Sequence, residues 1–223
     1  MLLEVCANSL ESAIAAQKGG AHRIELCQDL MVGGLTPDLD TLKQVKAQID
    51  IPVYVLIRCR AGDFCYSEEE LALMQDQIRQ VAGLQFPGVV FGCLDAQGQV
   101  DQDATTRLME AAGYMDVTFH KAFDEVPDQL EALDCLRDLG IQRILTSGGK
   151  NTALEGVEAL ADLVDEASED LIIMPGGGIR PANLETIMET GAREYHSACI
   201  KPGADRTDAD MVSALVDILK SAY

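Results

Sequence analysis

The chain has 223 residues, 48% of them hydrophobic with no Trp, and a formal net charge of -20 at pH 7. That length suits one large domain or two small ones, with a sizeable core packed by Leu, Ile, Val and Ala. So acidic a chain repels phosphate backbones and anionic membrane surfaces, which argues against binding to either; otherwise the charge marks a solvated surface.

No apolar run reaches the ~18 residues of a membrane span. The N-terminus opens on a strand pattern and lacks the basic-then-apolar build of a secretory leader, so none is expected. The seven cysteines are odd in number and show neither a framework spacing nor a CxxC pair. That usage fits a reducing cytoplasm better than a disulfide scaffold or a zinc ribbon.

Eight strand–helix pairs are predicted. The first strand, about 2–6, carries Glu4 and Cys6 two positions apart and therefore on one face. Ser9 opens the helix that follows, which runs to Lys18 and stops at Gly19-Gly20. The strand at 23–27 repeats the pattern with Glu25 and Cys27, and Thr36-Pro37 opens the next helix, Thr as N-cap and Pro at the first helical position. After the strand at 53–58, Ser67 to Glu70 reads as a capping box, followed by the apolar stripe Leu71, Met74, Ile78 and Val81. Strands at 88–92 and 116–120 precede helices starting at Asp101 or Asp103 and at Asp128. Strands at 143–147, 171–175 and 193–197 precede helices starting at Thr152, at Arg180-Pro181 and near Asp208, the last with Met211, Leu215, Ile218 and Leu219 toward the core. Alternating strand and helix predicts a parallel sheet. Eight repeats with no internal linker predict a single α/β domain over residues 1–223, a closed (β/α)8 TIM barrel, with an open doubly wound sheet as the alternative.

A barrel of this kind keeps its chemistry at the C-terminal ends of the strands. That filter selects Cys6, Cys27, Arg58, Arg60, His120, Thr146, Ser147, Gly176 to Gly178 and His196. Alternation places Leu56, Arg58 and Arg60 on one face, Thr118 with His120, and Glu194 with His196. Glu4, Glu25 and Glu194 have two readings, either members of a site or a buried ion network with Arg23, Arg58 and Arg60. Two of the three His stand at the rim, which favours a site there. The Gly176-Gly177-Gly178 loop lets backbone N–H groups approach an anion, and Ser147-Gly148-Gly149 could add to it; a tight turn needing positive φ explains the same glycines. Cys6 and Cys27 fall on adjacent strands about 5 Å apart, close enough for a soft metal, Cu(I) or Zn(II), or simply packed as small apolar side chains. Cys135 lies within a helix and reads as packing.

The segments Leu3 to Cys6, Gly20 to Cys27, Gly33 to Pro37, Ile57 to Tyr66, Val117 to Asp124, Leu145 to Gly149 and Met174 to Ile179 resemble the CutC copper homeostasis family. The resemblance runs from residue 2 to about 198. It implies a cytoplasmic TIM barrel, a homodimer or larger homo-oligomer, and a role in copper tolerance or trafficking with Cys6 and Cys27 as Cu(I) ligands. The chain departs from the family where Arg-Pro-Arg-Gly-Gly-Asp-Phe is usual and Arg58-Cys59-Arg60-Ala61-Gly62-Asp63-Phe64 stands here. It also has Lys121 in place of Arg, and a shorter tail after Ala198.

Two functions follow. In the first, Cys6 and Cys27 bind a copper ion as thiolates, with His196 or His120 as a third ligand. In the second, an enzyme acts on a small anionic, phosphorylated metabolite. Gly176, Gly177, Gly178 and Ser197 would hold the phosphate and Arg58 and Arg60 a second anionic group. His120 with Glu25 or Asp124 would move the proton. A barrel whose site is relict and whose role is structural is a third reading, against which the intact polar strand ends stand.

Overall fold

A computed structural model of the chain describes residues 1–167, 169 and 171–221. The elements alternate from the start: β1 (Leu2–Ala7), α1 (Leu10–Lys18), β2 (Arg23–Leu26), α2 (Leu39–Gln48), β3 (Val53–Leu56), α3 (Glu68–Gly83), β4 (Gly88–Phe91) and α4 (Gln102–Ala112). They continue with β5 (Asp116–Phe119), α5 (Gln129–Asp138), β6 (Arg143–Thr146), α6 (Val157–Ala167), β7 (Ile172–Pro175), α7 (Leu184–Met188), β8 (Glu194–Ser197) and α8 (Ala209–Ser221). All eight strands are parallel and follow the order β7-β6-β5-β4-β3-β2-β1-β8. Among the described residues β7 and β8 meet at a single backbone bridge, Gly176 to His196, which closes the sheet on itself. The fold is thus the α/β TIM barrel, and the open sheet is excluded. No helix among the described residues is long and apolar enough to cross a membrane.

The helices start where side chains can satisfy their free N–H groups. Ser9, Ser67, Asp101 and Asp128 are N-caps, and Ser67 with Glu70 forms the full capping box. Thr36-Pro37 does not open α2. Asp38 caps it, accepting from the Thr41 amide at 2.7 Å, because the Thr36 hydroxyl is already used by the Arg58 amide (2.8 Å) and Gln77 (3.0 Å). Thr152 and Glu155 cap one another in a local turn, and α6 begins only at Val157. Arg180-Pro181 likewise precedes α7, which starts at Leu184 after Asn183.

Outward strand residues such as Leu3, Ile24, Val55, Phe91, Phe119 and Tyr195 are fully buried under the helices, whose stripes (Leu71, Met74, Ile78 and Val81 in α3) cover them. Each such aliphatic or Phe side chain contributes roughly 1.5–3 kcal/mol. The barrel interior is different. Arg23 donates to Glu4 and Glu194, Arg143 donates to Glu194, and both guanidiniums lie over the Tyr54 ring, 4.8 and 5.5 Å from its centroid. The buried ion network therefore exists, but its cations are Arg23 and Arg143, not Arg58 and Arg60. β3 ends at Leu56, so alternation no longer governs Arg60.

Candidate functional site

Register brings the first, second and eighth strands' polar residues together. Cys6 stands opposite Glu25, and Glu4 opposite His196. The Cys6 and Cys27 sulfurs lie 3.6 Å apart, and one ligand atom each from Cys6, Glu25 and His196 falls within 4.8 Å of the others. His196 Nδ1 bonds Glu4 Oε1 at 2.8 Å, while Nε2 lies 3.6 Å from Glu25 Oε2. These groups form one side of a cavity of about 370 Å³ at the C-terminal end of the barrel. Arg58, His120, Lys121, Gly177, Gly178 and Arg180 line the rest of it with Phe64 and a few aliphatic residues.

Electrostatics fix the protonation on the thiol side. Burial pushes the Glu4 carboxyl up, but Arg23 and His196 outweigh it and hold Glu4 down at about 2. Burial, reinforced by the Glu4 charge, raises Glu25. Burial pulls His196 down, yet Glu25 and Glu4 together raise it above its ordinary value. The Cys27 hydrogen bond, then burial and the nearby Glu25 charge, push the Cys6 thiol well above its usual 9.0. Cys6 is therefore a protonated thiol at neutral pH, and a metal bound there must displace its proton.

The donor set fits a soft metal. Two sulfurs bonded to one tetrahedral ion at about 2.3 Å lie roughly 3.8 Å apart, close to the 3.6 Å found here. A metal-binding imidazole usually gives its other N–H to a carboxylate. His196 does so through Nδ1 to Glu4, which leaves Nε2 toward Glu25 and Cys6.

The remaining predicted residues divide. Arg58 is buried at the cavity, and its Nη1 donates to the Val32 and Gly34 carbonyls (2.8 and 3.2 Å) while Nη2 donates to Gly62 (2.7 Å). Arg60 is not at the cavity; it pairs with Asp63 at 2.9 Å and Glu70 at 2.5 Å nearer the surface. His120 lines the cavity, and burial and the Arg58 charge push it down to about 3, so it is a neutral imidazole at neutral pH. Its Nδ1 accepts from the Ala122 amide at 3.2 Å, which places the ring proton on Nε2. Asp124 lies beyond the cavity lining and is filled by the Thr146 hydroxyl (2.5 Å) and the Ser147 and Gly149 amides (3.0 and 2.9 Å), so it organises the loop after β6. A side chain at Gly176 would run into Leu145, so that glycine is required for packing. Gly177 and Gly178, at φ +98° and +73°, do line the cavity. Ser197 also lines it, but its hydroxyl is spent on the Ile179 carbonyl (2.9 Å). Lys121 and Arg180 are cavity cations that strand alternation does not select. They sit just past a strand end and a glycine loop, and only that adjacency could have found them.

The fold and this cluster define a class: a TIM-barrel protein with a thiol, carboxylate and imidazole group lining a cavity at the C-terminal ends of its strands. The chain belongs to the CutC family, whose pattern it matches over residues 1–201. It is 45% identical over 240 aligned positions to a CutC family protein of Xanthomonas campestris pv. campestris, covering all of both chains. It is 45% identical over 196 positions to the mouse protein named copper homeostasis protein cutC homolog, covering 87% of this chain and 72% of that one. The crystal structure of a copper homeostasis protein CutC from Streptococcus agalactiae superposes with a TM-score of 0.84 at 34% identity, covering 89% of this chain and 98% of that one.

Proposed function

We propose that this chain is a one-domain cytoplasmic copper-homeostasis protein that holds Cu(I) as cargo between Cys6 and Cys27. The observation that carries the reading is the 3.6 Å sulfur separation, with Glu25 and His196 grouped around Cys6, at the wall of a cavity that opens at the C-terminal end of the barrel. Thiolates select soft cations, and Cu(I) is the softest of the first-row candidates. His196 is the third ligand on this reading, oriented by Glu4 and grouped with Cys6 and Glu25, to which Cys27 is joined through Cys6; His120 belongs to neither contact. The names of the relatives point the same way, and all seven cysteines are free, as a reducing compartment would keep them.

The test is an anaerobic Cu(I) titration against a competing chelator, with wild type beside Cys6→Ser and Cys27→Ser, each checked for folding. Tight one-to-one binding lost in both variants is the expected result. Affinity unchanged by either substitution would make the cysteines packing residues. The homo-oligomer implied by the family is tested in the same samples by light scattering, with and without Cu(I).

A second reading, an enzyme using proton transfer on a small phosphorylated substrate, is favoured by one observation. Glu25 and His196 are both raised and face one another at 3.6 Å, so this pair, rather than His120 and Asp124, would share a movable proton. A panel of phosphorylated metabolites, none of which raises the melting temperature, would remove its support.

A further inference from the structure

The barrel interior buries three arginines, Arg23, Arg58 and Arg143. Arg23 and Arg143 have carboxylate partners. Among the described residues no carboxylate lies within ion-pair distance of Arg58, whose Nη atoms bond backbone carbonyls, whose guanidinium lies over the Phe64 ring 4.9 Å from its centroid, and whose buried Nε has no hydrogen-bond partner. A buried cation is stable when an anion sits near it, and here the protein supplies none. The neighbouring His120 repeats the pattern: it is 6% exposed, and its Nε2, the protonated nitrogen, has no acceptor. Both residues line the same cavity, together with Lys121 and Arg180. Arg180 also lacks a carboxylate partner among the described residues, its Nη1 bonding the Ile179 carbonyl at 3.0 Å. Lys121 contacts Ser147 at 2.9 Å and Asp124 at 3.3 Å, and a side chain at Gly177 would meet its Nζ at 3.1 Å.

Two of these groups stand across the barrel from Cys6. His120 and Lys121 follow β5, which is diametrically opposite β1 in the strand order. The cavity, about 370 Å³, is of the size that takes a small molecule, roughly 300–1,000 Å³, and far exceeds what one metal ion needs.

We propose that the wall formed by Arg58, His120, Lys121 and Arg180 is a binding site for a small organic anion bearing a carboxylate or a phosphate. Arg58 supplies the buried charge, His120 a neutral N–H donor, and Lys121 and Arg180 two cations nearer the opening. The narrow lining at Gly177 and Gly178 lets the ligand lie against backbone. The site stands on the cavity's own groups; only joint occupancy with Cu(I) would rest on the copper reading.

The experiment uses the full chain, reduced and metal-free, with melting followed against inorganic phosphate and, separately, citrate. Sodium chloride at matched ionic strength is the control. At least one probe is expected to raise Tm saturably by about 5 °C at high occupancy. The arm that responds tells phosphate from carboxylate. Lys121→Gln and Arg180→Gln should each weaken binding about fivefold or more, and His120→Phe, which keeps a ring but removes the donor, about tenfold. Arg79→Gln, which removes an exposed α3 cation paired with Asp76 away from the cavity, should leave it unchanged. The proposal is overturned if neither probe exceeds the chloride control, or if the response is undiminished in both Lys121→Gln and Arg180→Gln. Those two exposed-side substitutions decide the matter if His120→Phe does not fold. Failure here with intact Cu(I) binding removes the anion site alone, and loss of the copper reading leaves the anion site standing.

Discussion

Replacing Arg23 by Met keeps most of the stem's bulk and removes one guanidinium from the barrel interior. Glu4, fully buried, is left with His196 alone, and Glu194 with Arg143. Removing one member of a buried ion network costs about 3–5 kcal/mol, because the remaining charge is uncompensated. A second route gives a similar size. Burial opposes ionisation of Glu4, yet Arg23, ahead of His196, holds it from its usual 4.5 down to about 2. At about 1.4 kcal/mol per pH unit that displacement is worth about 3 kcal/mol. Because the folded value is depressed, this stability is complete above pH 4.5 and is lost as pH falls toward 2. Urea unfolding followed by circular dichroism at pH 7 and pH 3 reads both effects. The variant should be less stable by about 3 kcal/mol or more at pH 7. The gap should shrink to about half at pH 3, where Glu4 of the unfolded wild type is already protonated. A loss below about 1 kcal/mol at pH 7, or a gap that does not narrow on acidification, would refute the reasoning.

Two further outcomes follow from the site. Cys6 is protonated at neutral pH, so Cu(I) must displace its proton, and apparent affinity should rise about tenfold per pH unit for each proton released between pH 6 and 8; chelator competition at three pH values checks this, and a flat profile would mean that Cys6 is not a thiolate ligand. Gly92→Ala places a Cβ 2.6 Å from His120 Nδ1 and 3.1 Å from the Ala122 Cβ. It should destabilise the chain by about 1–3 kcal/mol by driving His120 off its seat, and a melting curve identical to wild type would show that the ring moves freely.

The regular part of this molecule was legible because its signals are local. Strand alternation found all eight strands to within a residue or two, and Ser9, Ser67, Asp101 and Asp128 announced their helices by cap chemistry alone. Thr36 misled because its hydroxyl answers a distant amide, that of Arg58, which no local pattern reveals. The thiol side of the cavity was also readable, since Cys6, Glu25 and His196 meet by register between neighbouring strands. The other side was only partly so. Arg60 shares a sequence parity with Arg58, but the chain has already left the strand, and Glu70 claims it. Arg143 sits on the same strand face as Leu145, which lines the cavity, a sign that it points inward, yet its role appears only when Glu194 arrives from 51 residues away. The lowered pKa of His120 depends on burial and on Arg58, both properties of the assembled barrel.

The β7–β8 seam gives the barrel a mechanical asymmetry. Elsewhere each strand is laced to its neighbour by two to four paired residues, whereas here the backbone is fastened at Gly176 and His196 alone among the described residues. The lacing is completed from within, where Arg143 of β6 reaches past β7 to grip Glu194 of β8, and Arg23 grips the same carboxylate from β2. Charge thus acts as the clasp of a belt whose own stitching is thin at that point. The clasp lies directly beneath His196, and the strip of lining formed by Gly177, Gly178 and Ser197 straddles the same gap. Whatever occupies the cavity would therefore tighten the hoop as well as fill it, so slowed amide exchange along β8 would register occupancy without any knowledge of what the occupant is.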